Sequence, residues 1–238
     1  MSGLAILLPP SEGKAPGGSR GTAWSPESGR FGTALAPIRF QLAALLAAAD
    51  DGDERLLGVG GRHLERARAT NRALVGAPTL PASRRYTGVV HDAIGLDSLS
   101  RAHRAKARDA IVIVSGLLGL VALDDPVPDY RLKMGARLDP VGLVSRHWRE
   151  ALGATLNAHL AGRVVVDLLP GEHAAAWVPD RSLDLLRVSF VERAGGAVGG
   201  HDAKAAKGRL VRHLLESRAA PARALKAFED ERFALAVS

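Results

Sequence analysis

Short apolar runs that end in polar turns dominate the hydrophobic pattern of this chain. Residues 4–8 (LAILL) stop at two prolines, residues 110–116 end in Ser-Gly, and residues 164–168 end just before Pro-Gly. Compact, β-branched, apolar runs bounded by such breakers are typical of buried strands. An alternating run over residues 185–193 predicts a further strand.

Longer segments between these runs predict helices. Pro37 sits at the start of one of them, as at an N1 position, and Asp202 is a candidate N-cap for another. The predicted helices cover residues 37–49, 54–74 with a break at 58–61, 99–110, 143–161, 202–218 and 222–228. A long loop is predicted over residues 15–33, and short strands over 86–90 and 130–134. Because strands alternate with helices, the pattern predicts an α/β fold, one domain over residues 1–238 with a mixed β-sheet and surrounding helices.

Polar side chains follow three of the predicted strands. They are Ser11, Glu12 and Lys14 after the first, Ser115 at the end of the second, and Glu172 and His173 after the third. In open α/β sheets, ligands bind beyond the carboxyl ends of the strands. If the three strands run parallel, these side chains converge at one edge of the sheet.

The first of these turns supports two interpretations. Lys14 could supply a positive charge for a phosphate or carboxylate, and Glu12 could act as a base or hold an amine. Alternatively, Ser11 caps a turn and Lys14 is solvated. After the third strand, Glu172 and His173 form a pair suited to acid–base chemistry.

Two basic segments lie farther along the chain. In "PDYRLKMG", strand alternation would place Arg131 and Lys133 on the face opposite Tyr130, either to bind an anion or to guard an edge strand. On the predicted helix 202–218, Lys204 and Lys207 share a face, with His201, Arg209 and Arg212 nearby. This helix could contact phosphate or simply present a solvated surface.

Composition narrows the classes of function. The 238 residues include no cysteine and carry a formal net charge of +7. The absence of cysteine excludes disulfides, thiolate metal sites and cysteine nucleophiles. The positive charge indicates either a polyanionic partner or an arginine-rich solvated surface. Neither a signal peptide nor a run of membrane-spanning length is visible, so a cytoplasmic protein with no membrane partner is expected.

The known nucleotide and metal motifs are missing from the sequence. The first turn lacks Walker A spacing, no GxGxxG follows a strand, and Ser115 lacks the GxSxG elbow. The histidines form neither HxH nor HExxH. No metal ligand and no cofactor is therefore predicted.

Taken together, the motifs resemble the YaaA family of peroxide stress proteins, also called UPF0246 or DUF328. The matching pieces occur in family order: "LLPPSEGK" (7–14), "RYTG" (85–88), "SGLLGL" (115–120), "PDYRLKMGARL" (128–138), "HW" (147–148), "VVVDLLPGEH" (164–173) and "AKAAKGRLVR" (203–212). The chain departs from the usual pattern at His91 and His173, where tyrosine is common, at Lys207, where many relatives carry arginine, and in a glycine-rich insert over residues 16–32.

The resemblance implies a single α/β domain, a link to the response to hydrogen peroxide with limits on DNA damage and free iron, and binding of double-stranded DNA through a basic cleft and a helix-hairpin-helix-like element. "SGLLGL" would be that element, although the preceding apolar run favours a strand-to-helix turn. Family motifs and strand-end geometry together give Glu12, Lys14, Glu172 and Lys204 as candidate catalytic residues. Candidate anion-binding residues are Ser11, Ser115, Tyr130, Arg131, His173, Lys207 and Arg209.

Three functions follow from these features. The first is a DNA-binding protein of the peroxide response. The second is an enzyme acting on a small anionic or nucleotide-like substrate, because Glu12 and Glu172 would repel DNA but suit a specific pocket. A scaffold or iron-sequestering protein ranks last, since the carboxylate–histidine clustering of a storage site is not visible.

Overall fold

The computed structural model describes residues 3–48, 54–57, 59–195 and 199–238. The strands are β1 (Gly3–Leu8), β2 (Gly13–Lys14), β3 (Ser19–Ala23), β4 (Pro78–Pro81), β5 (Tyr86–Thr87), β6 (Ile111–Ser115), β7 (Gly119–Ala122), β8 (Pro126–Pro128), β9 (Arg137–Leu138), β10 (Gly142–Leu143), β11 (Arg163–Asp167), β12 (Asp184–Glu192) and β13 (Phe233–Val237). The helices are α1 (Gly32–Ala48), α2 (Glu54–Leu57), α3 (Arg62–Arg72), α4 (Ala82–Arg85), α5 (Val89–Ile94), α6 (Arg101–Ala110), α7 (Val144–Leu160), α8 (Gly171–Ala174), α9 (Gly200–Glu216) and α10 (Pro221–Lys226), with a 3-10 turn over Leu96–Ser98.

A six-stranded mixed sheet forms the centre of the fold, in the order β13-β12-β11-β1-β6-β7. Strands β12, β11, β1 and β6 run parallel, while β7 and β13 close the two edges antiparallel to their neighbours. The α/β fold class with a mixed sheet is therefore confirmed, as is the parallel arrangement of the three strands with polar ends. The single domain over residues 1–238 stays a prediction.

The apolar runs form strands because both faces of the central sheet are covered. Every residue of β6 is buried, and so are the last four of β1. Trp148 and Leu152 of α7 are fully buried within the same core. Continuous apolar runs, rather than alternation, are what such doubly covered parallel strands require.

The N-terminal third differs from the sequence prediction in two places. Helix α1 begins at Gly32 and carries Pro37 in its interior, not in its first turn, and the predicted helix end at Ala49 lies outside the described residues. The predicted loop 15–33 contains β3, which pairs with β4. A local pattern misses this strand because the β4 partner lies more than fifty residues away. The predicted break at residues 58–61 of the next helix is confirmed, since α2 ends at Leu57 and α3 begins at Arg62. Gly58 itself lies outside the described residues.

The "SGLLGL" prediction is wrong in both forms. Strands β6 and β7 pair directly, so the segment is the turn of a β-hairpin rather than a strand-to-helix or helix-hairpin-helix turn. Gly119 takes a φ of +67° in this turn, and a side chain there would strike Trp148. Gly116 lies against the backbone of residues 132–134. The two glycines thus serve close packing of the chain.

Three further predictions need correction. Residues 130–134 are not a strand, because this segment runs as irregular chain between β8 and β9. The predicted strand 86–90 is limited to β5, and Val89 already begins α5. Asp202 is not the N-cap of α9 but lies in its first turn and pairs with Arg232. The terminal strand β13, paired along β12, was not predicted at all.

The topology places a crevice between β1 and β11. The chain leaves β1 toward β6 on one side of the sheet, and it leaves β11 toward β12 on the other. Adjacent parallel strands with diverging connections form a topological switch point, where open α/β folds bind their ligands. The turns 9–14 and 168–173 both follow strands at this point.

Candidate functional site

A cleft of about 760 Å³ opens at the switch point. This volume lies within the range of small-molecule sites. The sequence-predicted residues that line the cleft are Ser11, Glu12, Lys14, Tyr130, Arg131, Glu172, His173, Lys204 and Lys207. The structure thus brings together groups from four separate parts of the chain.

The turn after β1 is anchored to the turn after α4. Gly13 and Lys14 pair antiparallel with Thr87 and Tyr86, and the Ser11 hydroxyl donates to the Thr87 carbonyl. Arg85 is fully buried and donates to carbonyls of this loop and of β8, including those of Gly17 at 2.9 Å and Val127 at 3.0 Å. The "RYTG" motif therefore holds the "PPSEGK" motif in place.

Lys14 lies above the rings of two buried tyrosines, of which Tyr130 lines the cleft. Its Nζ is 4.3 Å from the ring centroid of Tyr130 and 5.6 Å from that of Tyr86, and it donates to the Ser11 carbonyl at 3.2 Å. The two tyrosine hydroxyls are 2.9 Å apart, and the Tyr130 hydroxyl is 2.7 Å from the Ser115 Oγ. Ser115 itself accepts from the Leu118 amide at 3.1 Å. The result is a buried hydroxyl chain under the lysine.

The environment of Lys14 disfavours its charged form. Burial, followed by the nearby Arg131 guanidinium, lowers the pKa of Lys14 from 10.5 to about 7. The charges of Asp129 and Glu12 oppose this shift without cancelling it. Burial also raises the pKa of both Tyr86 and Tyr130, so these hydroxyls stay neutral. Near neutral pH, Lys14 is therefore able to gain or lose a proton.

The turn after β11 forms a second wall. Glu172 and His173 lie in the short helix α8, with the Glu172 carboxylate exposed against Gly135 and His173 buried. The His173 Nδ1 is 3.6 Å from Glu172 Oε1, too far for a hydrogen bond. Burial, assisted by the charge of Lys207, lowers the pKa of His173 to about 4. The imidazole is therefore neutral near pH 7.

Helices α5 and α9 form the third wall, and they approach closely because residue 208 is glycine. A Cβ at Gly208 would lie 2.4 Å from the Val90 carbonyl oxygen. Lys207 is half-buried and donates to the Leu168 carbonyl at 2.7 Å, and burial lowers its pKa. Lys204, one turn earlier, is exposed. His91 of α5 is buried, with a pKa lowered by burial to about 4.

Two of the predicted anion-binding residues do not line the cleft. Ser115 is fully buried beneath Tyr130. Arg209 points away on α9 and pairs with Asp230, with an N–O distance of 2.5 Å. Arg131 does line the cleft, but its guanidinium also pairs with Asp129 at 2.8 Å. The roles of all these residues stay predictions.

Several lining residues were not singled out as site residues in the sequence. His91 was noted only as a departure, and Val188 and Phe190 of β12 not at all. Tyr86, which is buried beneath Lys14 and does not itself line the cleft, was noted only within "RYTG". The β12 pair contributes apolar wall because its strand is half-exposed at this edge. The sequence signal that could have identified Tyr86 is its place in the "RYTG" motif.

The described ranges contain no group of three or more histidine, aspartate or glutamate side chains placed to hold a metal ion. Across the same part of the chain, no helix is both long and apolar enough to cross a membrane.

The comparisons with known proteins agree along nearly the whole chain. A UPF0246 protein of Streptomyces coelicolor is 33% identical over 222 residues, covering 92% of this chain and 85% of its own length. A UPF0246 protein of Corynebacterium efficiens is 32% identical over 217 residues, covering 90% of this chain and 86% of its own length. The family model described as peroxide stress protein YaaA matches residues 4–237. The chain therefore belongs to the YaaA family of peroxide stress proteins, the UPF0246 proteins.

Proposed function

We propose that this protein is an enzyme that binds a small anionic substrate in the cleft and uses Lys14 as its proton-transferring base. The observation that carries the proposal is the placement of Lys14 on Tyr130 at the switch point, with a pKa of about 7. An amine that titrates near neutral pH is what general base catalysis requires. The neutral amine takes a proton from the bound substrate, and the electron pair of the broken bond stays on the substrate.

The cations of the cleft account for an anionic substrate. Lys204 and Lys207 lie one turn apart on α9 and both face the cleft, as does Lys133 from the opposite segment. Lys207 is half-buried, so an anion that binds there is shielded from water and interacts more strongly than on an open surface. Glu12 and Glu172 lie on the same lining. They give the cleft mixed charge, which suits one specific ligand better than a polyanion.

Binding is tested first with ribose 5-phosphate as an anionic probe, by isothermal titration calorimetry. We expect Lys207→Ala to weaken binding by about tenfold or more, because a charge-assisted hydrogen bond is lost. The matched control is Arg209→Ala, which removes one positive charge from the same helix outside the cleft and should change the affinity by less than about twofold. Equal losses in both variants would mean that only net charge matters, and the proposal would then be wrong.

Catalysis is tested with a panel of phosphorylated metabolites followed by mass spectrometry. We expect conversion of one class by the wild-type chain and none by Lys14→Met, which keeps length and apolar packing but cannot accept a proton. Conversion at the wild-type rate by Lys14→Met would exclude Lys14 as the base.

A second candidate function is binding of duplex DNA in the peroxide response. Its support is the net charge of +7 and the exposed Lys133 and Lys204 on the cleft lining. Such binding would fall steeply with salt and show little sequence preference. A fluorescence anisotropy titration of a labelled duplex at two salt concentrations tests it, and an affinity that does not change with salt would argue against it.

A further inference from the structure

Two buried imidazoles in the cleft have ring nitrogens without a hydrogen-bond partner. His91 is 8% exposed and His173 is 6% exposed. Within the described residues, both ring nitrogens of His91 and the Nδ1 of His173 lack any partner. Buried polar atoms are nearly always paired in native proteins, so such orphans require an explanation. Both side chains line the same cleft as Lys14, and a bound molecule would supply the missing partners.

Both imidazoles are held neutral by their surroundings. Burial and the positive charge of Lys207 lower the pKa of His173. Burial also lowers the pKa of His91, against the weaker, opposing effect of the Asp92 charge. A neutral imidazole carries one N–H donor and one acceptor nitrogen. The dianion of a phosphate monoester offers only acceptors, whereas the edge of a heterocyclic base offers both donors and acceptors. The two histidines therefore suit an uncharged polar edge better than an anion.

The remaining lining supplies surfaces for the other parts of such a molecule. Val90 and Phe190 contribute apolar wall. A planar ring is buried favourably against such groups. Lys204 and Lys207 provide the cationic part. The cleft thus combines cations, an apolar wall and neutral donor–acceptor groups.

We infer that the substrate is a phosphorylated N-heterocycle of the nucleoside monophosphate class, its phosphate bound by Lys204 and Lys207 and its base edge read by His91 and His173. This inference rests on the proposed function and narrows its substrate class. His91 and His173 are then the residues that determine specificity.

The test compares ligands that differ only in the base. Isothermal titration calorimetry measures ribose 5-phosphate, which lacks a base, and the monophosphates of adenosine, guanosine, inosine, cytidine and uridine. The wild-type chain should bind the best nucleotide at least about tenfold more tightly than ribose 5-phosphate, as the loss of paired polar contacts would require. His91→Phe and His173→Phe should each reduce this preference to less than about threefold and leave the affinity for ribose 5-phosphate unchanged.

A matched control is His159→Phe. His159 also has a buried, unpartnered Nε2, but it packs edge-to-face on Phe31 away from the cleft. This variant should keep the wild-type preference. Thermal unfolding verifies that each variant is folded, and His91→Leu or His173→Leu, which also removes the ring nitrogens, replaces the corresponding phenylalanine variant if that one does not fold.

The outcomes separate the two proposals. If ribose 5-phosphate binds in a Lys207-dependent manner but no nucleotide binds more tightly, or if the preference survives in both histidine variants, the substrate class is wrong and the proposed function stands. If neither ribose 5-phosphate nor any nucleotide binds, the proposed function itself fails.

Discussion

The Nζ of Lys14 lies 4.3 Å from the ring centroid of Tyr130 and has no carboxylate within ion-pair distance among the residues that the structure describes. An ammonium in such a place is stabilised by the π face and by one carbonyl, but it loses most of its hydration. This balance makes Lys14 a costly residue for stability and a useful one for proton transfer.

Replacing Lys14 should therefore stabilise the protein while abolishing activity. Because the folded pKa of about 7 lies below the ordinary 10.5, the unfolded chain binds a proton as the pH falls through this window and the folded chain does not. The free-energy cost of burying Lys14 therefore grows as the pH falls from 10.5 to about 7, and it keeps its full value below pH 7. We expect Lys14→Met to raise the free energy of unfolding by roughly 1–3 kcal/mol at pH 6, measured by urea denaturation. A loss of stability would show that the charged lysine is a structural anchor.

The pH dependence of catalysis should follow the same group. As the proposed base, Lys14 would act in its neutral form, so kcat/KM should rise as the pH increases through about 7. His91 and His173, with pKa values of about 4, should not contribute to this limb. A pH–rate profile measured from about pH 5 to 9 tests this expectation. A profile that falls through pH 7 would instead indicate that the ammonium form of Lys14 acts.

Protein stability should decline as the pH falls below 6.5. His91 and His173 have folded pKa values of about 4 against an ordinary 6.5, so the unfolded chain takes up protons first. Above pH 6.5 both histidines are neutral in the folded and in the unfolded chain. As the pH falls from 6.5 toward 4, the unfolded chain becomes protonated at these positions while the folded chain does not, and the free energy of unfolding decreases. Each histidine should lower the free energy of unfolding by roughly 1–2 kcal/mol as the pH falls from 6.5 to 5. The double variant His91→Phe/His173→Phe should show a flatter profile in thermal unfolding, and an unchanged slope would contradict neutral burial.

Ser115 should matter for stability rather than for binding. Its Oγ accepts from the Leu118 amide and contacts the Tyr130 hydroxyl, both in the buried interior. Ser115→Ala leaves that amide unpaired and should lower the free energy of unfolding by roughly 1–3 kcal/mol. Affinity for ribose 5-phosphate should change by less than about threefold. If Ser115→Ala folded but no longer bound ribose 5-phosphate, the prediction that Ser115 contributes to anion binding would stand.

Gly208 should tolerate no side chain, whereas Gly153 in α7 should. A Cβ at Gly208 would lie 2.4 Å from the Val90 carbonyl oxygen, while one at Gly153 meets only the Val178 carbonyl oxygen at 4.0 Å. We expect Gly208→Ala to destabilise by about 1–3 kcal/mol through overpacking. Gly153→Ala should stabilise by up to about 1 kcal/mol through helix propensity. The two variants serve as controls for each other in thermal unfolding. Similar changes in stability for both would contradict close contact between α5 and α9.

The sequence predicts the strand ends of the site better than its walls. Residues 4–8 and 164–168 are apolar runs with clear breakers, so the turns carrying Lys14 and His173 could be located, and parallel pairing brought them together. The β6–β7 hairpin could not be foreseen, because its turn is defined by Trp148 and by residues 132–134, which are distant in sequence. Tyr86 was missed for the same reason: its importance arises from contacts with Lys14 and Tyr130.

The charged residues show a similar limit. Lys207 and Arg209 are both candidate anion-binding residues on the predicted basic helix, yet one donates to the Leu168 carbonyl in the cleft and the other pairs with Asp230. The rotation of α9 about its axis decides between them, and this rotation is determined by tertiary packing. Helical periodicity gives the faces of a helix but not the neighbour that each face meets.

The contact at Gly208 has a consequence for how this site can change in evolution. The β2–β5 pair supplies Lys14, and helices α5 and α9 supply His91, Lys204 and Lys207. The two helices meet at Gly208, where only a hydrogen atom fits. Because His91 is not one of the α5 groups that meet Gly208, we expect substitutions there to alter the chemistry presented to a ligand and to leave this contact in place. A change of lining side chains in this chain is therefore expected to alter its choice of ligand while the spacing of α5 and α9 stays the same.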